Sequence, residues 1–440
     1  MKPNDFSFAK SRRFAPLFGT QFQGALNDNL FKTALFVMIS YHGLGKNSIL
    51  PPAQMLNLGA LLFILPYFLF SSISGQLSTR YDKARFARII KILEIVIMGV
   101  AAYGFYIQSS VLLLAMLFCM GAQSTLFGPL KYAILPDYLE EGELMMGNSL
   151  IESGTFIAIL FGQIIGTVVA GAPHWIVMTL VILIAVGGML TSFFMPYVGA
   201  KNPHQPIDLN IFRSTKQLLK DTFAQRELYT AIIGISWFWL IGAVYTIQLP
   251  TFTQKHLGGN DNVYNLMLTL FSIGIAAGSI LCSKLSHHRL HLRLVSVGTL
   301  GLTASGILLV WLTHGNHYQA GQFQDIFGFL SNGYAYPVMA CMIAIGFFGG
   351  FFSVPLYTWL QTASSETFRA HAVAANNIIN GVFMVSAAIL SAVLLMLFDS
   401  ISLLYLIVAI GNIPLIVYLI QREPRFLNDM GKIFHNIGKR

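Results

Sequence analysis

The feature that most limits this chain is the recurrence of apolar stretches long enough to cross a bilayer, twelve times in 440 residues. A helix rises about 1.5 Å per residue, so roughly 20 apolar residues span the hydrocarbon layer. Stretches of that length fall at 14–42, 53–78, 87–107, 110–135, 148–171, 174–196, 228–256, 263–284, 293–314, 336–361, 374–398 and 401–421. In lipid every backbone N–H and C=O must find a partner within the protein, and for continuous apolar runs the helix is the structure that does so. The expected fold is an all-α polytopic membrane protein. Only 10% of residues are charged, against about a quarter in a soluble domain, which leaves too little polar surface for water.

The formal charge of +9 would suit nucleic acid, but its placement argues otherwise. Arg80, Lys83, Arg85, Arg88 and Lys91 crowd one connection, Lys201 to Arg226 another, and Arg422 to Arg440 the tail. The opposite side keeps Lys46 and Lys255. That bias is the positive-inside signature and predicts both termini in the cytoplasm, with membrane lipids as partners and no nucleic acid. The first apolar stretch carries Asn27, Asp28, Asn29 and Lys32, so it reads as a retained helix rather than a cleaved signal. Cys119, Cys282 and Cys341 fall inside spans as small core residues. His287, His288 and His291 sit in a basic loop and read as solvated. The sequence has no Walker loop and no HExxH motif, so neither an enzyme nor a cofactor or metal site is expected.

The spans divide the chain into an N-terminal six-helix bundle (1–196), a linker (197–227), a second bundle (228–421) and a basic tail (422–440). Phe212, Thr215, Leu218, Leu219, Thr222 and Phe223 give the linker an amphipathic helix, and Phe426 to Ile437 repeat the device in the tail. Aromatic residues in the connection 315–335, among them Phe327 and Phe329, suggest a short interfacial helix. The halves also repeat. Pro129 of the fourth span matches Pro355 of the tenth, setting Lys131 opposite Tyr357, and Asn148–Glu152 matches Asn376–Asn380. Such paired halves are the mark of secondary transporters. The scaffold repeats but its charges do not, which places the candidate chemistry in the first half.

Asp28 heads the candidates. It lies near mid-bilayer, where a charged residue costs about 2.5–3.5 kcal/mol on insertion scales and calls for a partner or a watery cavity. Lys32, four residues on, shares its face, so the two read either as a substrate site or as a pair that only helps the helix insert. Lys131 and Glu152, at matching depths in consecutive spans, read equally as a binding pair or a brace. Glu94, one turn beyond Lys91, reads as an interfacial brace. The Gly75–Arg85 loop, with Gly75, Arg80, Asp82 and Arg85, suits a gate latch or a topology anchor.

That loop resembles the signature loop of the major facilitator superfamily, with Thr79 where the usual acidic residue stands and Asp82 as a partial substitute. Gln21–Lys32 (QFQGALNDNLFK) and Phe127–Pro136 (FGPLKYAILP) resemble the lysophospholipid transporter family, closest to the transporter domain that bacteria fuse to acyltransferases. Gly147–Gly154 and Gly349–Leu356 extend the likeness over nearly the whole chain. The resemblance implies two pseudo-symmetric six-helix bundles of the major facilitator fold in a bacterial inner membrane. It implies a monomeric flippase that carries lysophospholipids from outer to inner leaflet for a separate acyltransferase. Asp28, Asn29, Lys32, Lys131, Glu152 and Asn380 would then be the substrate-binding residues. The seventh span departs from the family, offering Tyr245, Thr246 and Gln248 where members carry a basic residue. The alternative reading is a proton-coupled exporter of a small polar metabolite, drug or siderophore.

Overall fold

A computed structural model describes residues 7–45, 50–286, 289–318 and 323–427. Among them are fourteen α-helices: α1 (Ala15–Tyr41), α2 (Pro52–Arg80), α3 (Lys83–Tyr106), α4 (Ser110–Tyr138), α5 (Leu144–Ala170), α6 (His174–Phe193), α7 (Ile211–Phe223), α8 (Arg226–Leu257), α9 (Asp261–Leu285), α10 (Arg293–Leu312), α11 (Ile326–Leu330), α12 (Ala335–Ala363), α13 (Arg369–Phe398) and α14 (Ile401–Arg422). Eleven are long and apolar enough to cross a membrane. The twelfth long helix, α1, reaches 27 residues, and polar side chains interrupt its apolar run. The protein is an all-helical membrane protein with the expected spans.

Several helices outrun their apolar stretches because charged turns at their ends are satisfied locally. Asp82 caps α3, accepting from the Arg85 N–H, so that helix begins at Lys83 rather than 87. A Glu140/Glu143 capping box leads into α5 four residues early. Pro129 and Pro136 of α4, like Pro355 of α12, lie inside their helices. Lys46, the histidines His287 and His288, and the basic tail from residue 428 lie outside the described residues.

The chain forms two compact units. The first holds the chain up to Gly147, Gly154–Leu228 and the separate segment Gln361–Gly381. In it α2 packs on α4, α3 on α4 and α6, and α1 on α6 and α4. Its core joins Phe31 and Met38 of α1 to Met98 and Phe105 of α3, Leu117 of α4 and Val181 of α6. Helices in lipid gain little by hiding apolar surface from one another, so close backbone approach carries the packing. On α5, a Cβ at Gly162 would stand 2.7 Å from the Leu26 carbonyl oxygen, and one at Gly166 2.7 Å from that of Leu30. Those two glycines let α5 lie directly against the middle of α1. The linker helix α7 packs on α2, burying Ser214, Leu218 and Thr222 and leaving Phe212 exposed.

The second unit holds Asn148–Ser153, Tyr229–Leu360 and the chain from Val382 onward. There α10 packs on α14, and the short α11 sits on α9 with Phe329 buried and Phe327 exposed. Tyr405 anchors this core, its hydroxyl donating to the Tyr245 carbonyl at 3.1 Å.

Candidate functional site

Asp28 occupies the midpoint of α1, thirteen residues from either end of Ala15–Tyr41. The Ser124 hydroxyl of α4 donates to its Oδ2, while its buried Oδ1 has no hydrogen-bond partner. Lys32 closes no ion pair with it; the Lys32 ammonium lies over the Phe63 ring of α2, 5.0 Å from the centroid. Asn29 donates back to the Ala25 carbonyl at 2.8 Å.

Behind Asp28 lies a network that the sequence reading does not assemble. Lys91 and Glu94 of α3 form an ion pair at 2.6 Å, each side chain 1% exposed. Glu94 Oε1 also accepts from Asn27 Nδ2 at 2.9 Å, and Oε2 from Gln123 Nε2 at 3.2 Å. Asn27 reaches the Val181 carbonyl of α6 as well, at 3.2 Å. Glu94 is thus a brace, but one sealed in the bundle core. The absent side chain at Gly24 makes room for it, since a Cβ there would stand 2.6 Å from Lys91 Nζ. A buried charge pair holds best when the carboxylate's remaining lone pairs are also engaged. Here the two amides do that for Glu94, and the Phe127 ring centroid lies 5.1 Å from the Lys91 ammonium.

A second polar cluster gathers at the α2–α3 connection and the end of α4. Asp137, directly after the Phe127–Pro136 motif, meets Lys83 at 2.8 Å, Lys201 at 2.9 Å and Arg369 of the 361–381 segment at 3.9 Å. Lys201 also reaches the exposed Glu366 at 3.3 Å. Burial alone would lower the Lys201 ammonium, but its hydrogen bonds and charge contacts with Asp137 and Glu366 raise it above the usual lysine range. Nearby, the Arg213 hydrogen bond holds Asp208 below the usual carboxylate range.

The predicted latch residues divide around this cluster. Gly75 meets the 361–381 segment, where a Cβ would stand 3.0 Å from that of Ala374. Thr79 donates to the Gly75 carbonyl and lies 3.3 Å from His371 Nδ1, while His371 Nε2 lies 2.8 Å from Gln205 Nε2. A neutral His371 carrying its proton on Nδ1 satisfies both neighbours. Arg80 donates to the Gln205 carbonyl at 3.1 Å. Asp82 does not take over the missing acid's position; besides capping α3 it holds the backbone N–H groups of Val198 and Gly199. The Arg85 side chain is exposed.

Lys131 is half-buried on α4, its ammonium 4.8 Å from the Tyr132 ring centroid. In the second unit, Ser353 donates to Glu152 and Asn148 donates to Thr358 at 3.1 Å. Tyr357, the counterpart of Lys131, accepts from Trp239 Nε1 at 2.8 Å. Asn380 belongs to the 361–381 segment of the first unit and is 8% exposed. Asp137 is the residue that sequence reasoning missed, and its position beside a motif was the signal that could have found it. Glu94 was read as an interfacial brace, and what the sequence did not show is its sealed setting with Asn27 and Gln123. Among the described residues no group of three or more His, Cys, Asp or Glu side chains could hold a metal ion.

The sequence profile of the Major Facilitator Superfamily matches residues 17–323. A protein named lysophospholipid transporter LplT from Enterobacter sp. (strain 638) is 26% identical over 367 residues, 81% of this chain and 82% of its own. Its namesake from Escherichia coli O157:H7 (strain EC4115 / EHEC) is 29% identical over 366 residues, with the same coverage of both chains. Among solved structures, the human organic anion transporter MFSD10 (TETRAN) superposes with a TM-score of 0.72 at 13% identity, covering 92% of this chain and 99% of that one. A variant of the Escherichia coli fucose:proton symporter FucP gives 0.65 at 14% identity, covering 93% and 98%. These structures share the fold.

Proposed function

The chain belongs to the major facilitator superfamily, and from that premise we propose that it carries lysophospholipids from the outer to the inner leaflet of a bacterial inner membrane. Transport proceeds by alternating access, with both termini cytoplasmic, and a separate acyltransferase restores the second acyl chain. The observation that carries this reading is the alignment with lysophospholipid transporters along four-fifths of both chains. The polar centre of α1 supports it. A lysophospholipid needs a polar path for its headgroup, and the buried Oδ1 of Asp28 is an acceptor without a donor. Lys131 supplies a cation for the phosphate. Asn29, Lys32, Glu152 and Asn380 complete the proposed substrate contacts. Gly75 and Arg80 belong to the gate, together with Asp82 and Arg85 at its base.

The test is leaflet-resolved uptake of labelled lysophosphatidylethanolamine into proteoliposomes. Wild-type protein should move the lipid well above empty vesicles, and Asp28→Asn and Lys131→Ala should each cut uptake at least about tenfold, the effect of losing a charged hydrogen bond. Wild-type vesicles that move no more lipid than empty ones would remove the lysophospholipid reading.

A further inference from the structure

The chain of polar groups behind Asp28 contains one proton with two destinations. The Ser124 hydroxyl contacts Asp28 Oδ2 and also lies 3.3 Å from Gln123 Oε1. A hydroxyl carries a single proton and can donate to one of these at a time. The Gln123 amide has only one workable orientation. Glu94 Oε2, 3.2 Å away, can only accept, so the Gln123 NH2 must face it and the carbonyl oxygen must face Ser124. Glu94 is itself fixed by Lys91 at 2.6 Å and by Asn27 at 2.9 Å. The sealed ion pair therefore presents an acceptor to Ser124 that competes with Asp28.

We propose that Ser124 is a handover switch and that Gln123 and Glu94 are its positioning residues. With the Asp28 carboxylate otherwise unpaired, the Ser124 proton rests on Asp28. When a cationic donor engages both Asp28 oxygens, filling the empty Oδ1 and taking over Oδ2, the hydroxyl turns to Gln123 Oε1, and neither Oδ2 nor the Gln123 oxygen is left without a donor. The charged groups acting on Asp28 are Lys32 of its own helix and Lys91 and Glu94 of α3. Lys91 is committed to Glu94 and Lys32 lies over Phe63. The incoming donor is thus a cation from outside this set, either the ammonium of a lipid headgroup or a proton. This inference rests on Asp28 contacting substrate, as proposed above.

Gln123→Met keeps the side chain's length and removes the second acceptor. In proteoliposomes it should raise the KM for lysophosphatidylethanolamine by about tenfold, one hydrogen bond's worth. The distinguishing result is a double-mutant cycle. In a Ser124→Ala background no proton remains to be handed over, and Gln123→Met should change KM by less than about twofold. Ser124→Thr keeps the hydroxyl and should keep the full dependence on Gln123. A Gln123 effect of equal size with and without the hydroxyl, or no effect in either, would overturn the switch. Melting temperatures measured on the same samples separate misfolding from altered binding. Should Gln123→Met fail to fold, the cycle runs with Gln123→Leu. Lysophosphatidylglycerol, which lacks an ammonium, separates the two sources of the cation. A Gln123 dependence confined to lysophosphatidylethanolamine assigns the headgroup, and one shared by both lipids assigns a proton. Wild-type vesicles that move neither lipid would sink the proposed function, whereas active wild type with an additive cycle would sink this inference alone.

Discussion

Two charge clusters in the first unit are built to opposite specifications. The Lys91–Glu94 pair is sealed at 1% exposure, balanced one to one, and tied by amides to α1 and α4. The Asp137 cluster sets one carboxylate against Lys83, Lys201 and Arg369, and grades outward from a 2% exposed lysine to a 70% exposed Glu366. A sealed pair is costly to break, because either partner alone is a bare charge in a low dielectric. A graded cluster loses its outer members to water at little cost. The first suits a fixed floor beneath Asp28. The second joins the 361–381 segment to the ends of α3 and α4, and suits a contact that forms and parts.

The sharpest way to break this contrast is to remove one charge from the sealed pair. Glu94→Ala leaves Lys91 buried without its counterion and should cost about 3–5 kcal/mol of stability, read as loss of folded yield in detergent. The double replacement Lys91→Met with Glu94→Met should recover part of that loss, because no bare charge remains. A Glu94→Ala protein that folds like wild type would mean the pair is not sealed.

Asp137→Asn tests the other side. It removes the shared anion while leaving a hydrogen-bond acceptor. Lys201 can turn outward, but Lys83 stays buried without its counterion and keeps only the neutral hydrogen bond, so the cost should lie at the lower end of the same range, about 3 kcal/mol. Its larger signature should be conformational. With Cys119, Cys282 and Cys341 replaced, a cysteine introduced by Ala372→Cys should react faster with a water-soluble maleimide in the Asp137→Asn protein. Unchanged labelling would show that Asp137 does not hold the segment.

These clusters also mark how far the sequence could be read. Span positions follow from apolar length, since lipid leaves the backbone few alternatives to a helix. Asp28 was legible for the same reason, because a charge at the middle of a span is expensive. Span ends were less legible: α3 and α5 begin in polar turns that caps make helical, where hydropathy has already fallen. The partners were not legible. Lys91 and Glu94 lie on one helix, so their spacing showed a pair, but nothing in α3 records that Asn27 and Gln123 close around it. Asp137 has the look of an ordinary end-of-helix charge, because its three cations come from separate stretches of chain. Asp82 is a plausible stand-in for an acid at position 79 on sequence grounds, yet the structure fills that place with a hydrogen bond between Thr79 and His371.

The smallest effect sharpens the contrast most cheaply. Lys201 is the outer cation on Asp137, with 19% of its side chain exposed. Lys201→Ala should cost only about 0.2–1 kcal/mol, the range of solvated pairs. Because its hydrogen bonds with Asp137 and Glu366 outweigh burial and raise the folded-state pKa, its contribution is complete below the ordinary lysine value of 10.5 and fades as pH rises through the higher folded value. The difference in melting temperature between wild type and Lys201→Ala should therefore stay constant from about pH 6 to 9 and shrink only above pH 10.5. A difference that changed within the neutral range would trace the contribution to another group. The outer edge of the cluster would then be held by something other than the Lys201 charge.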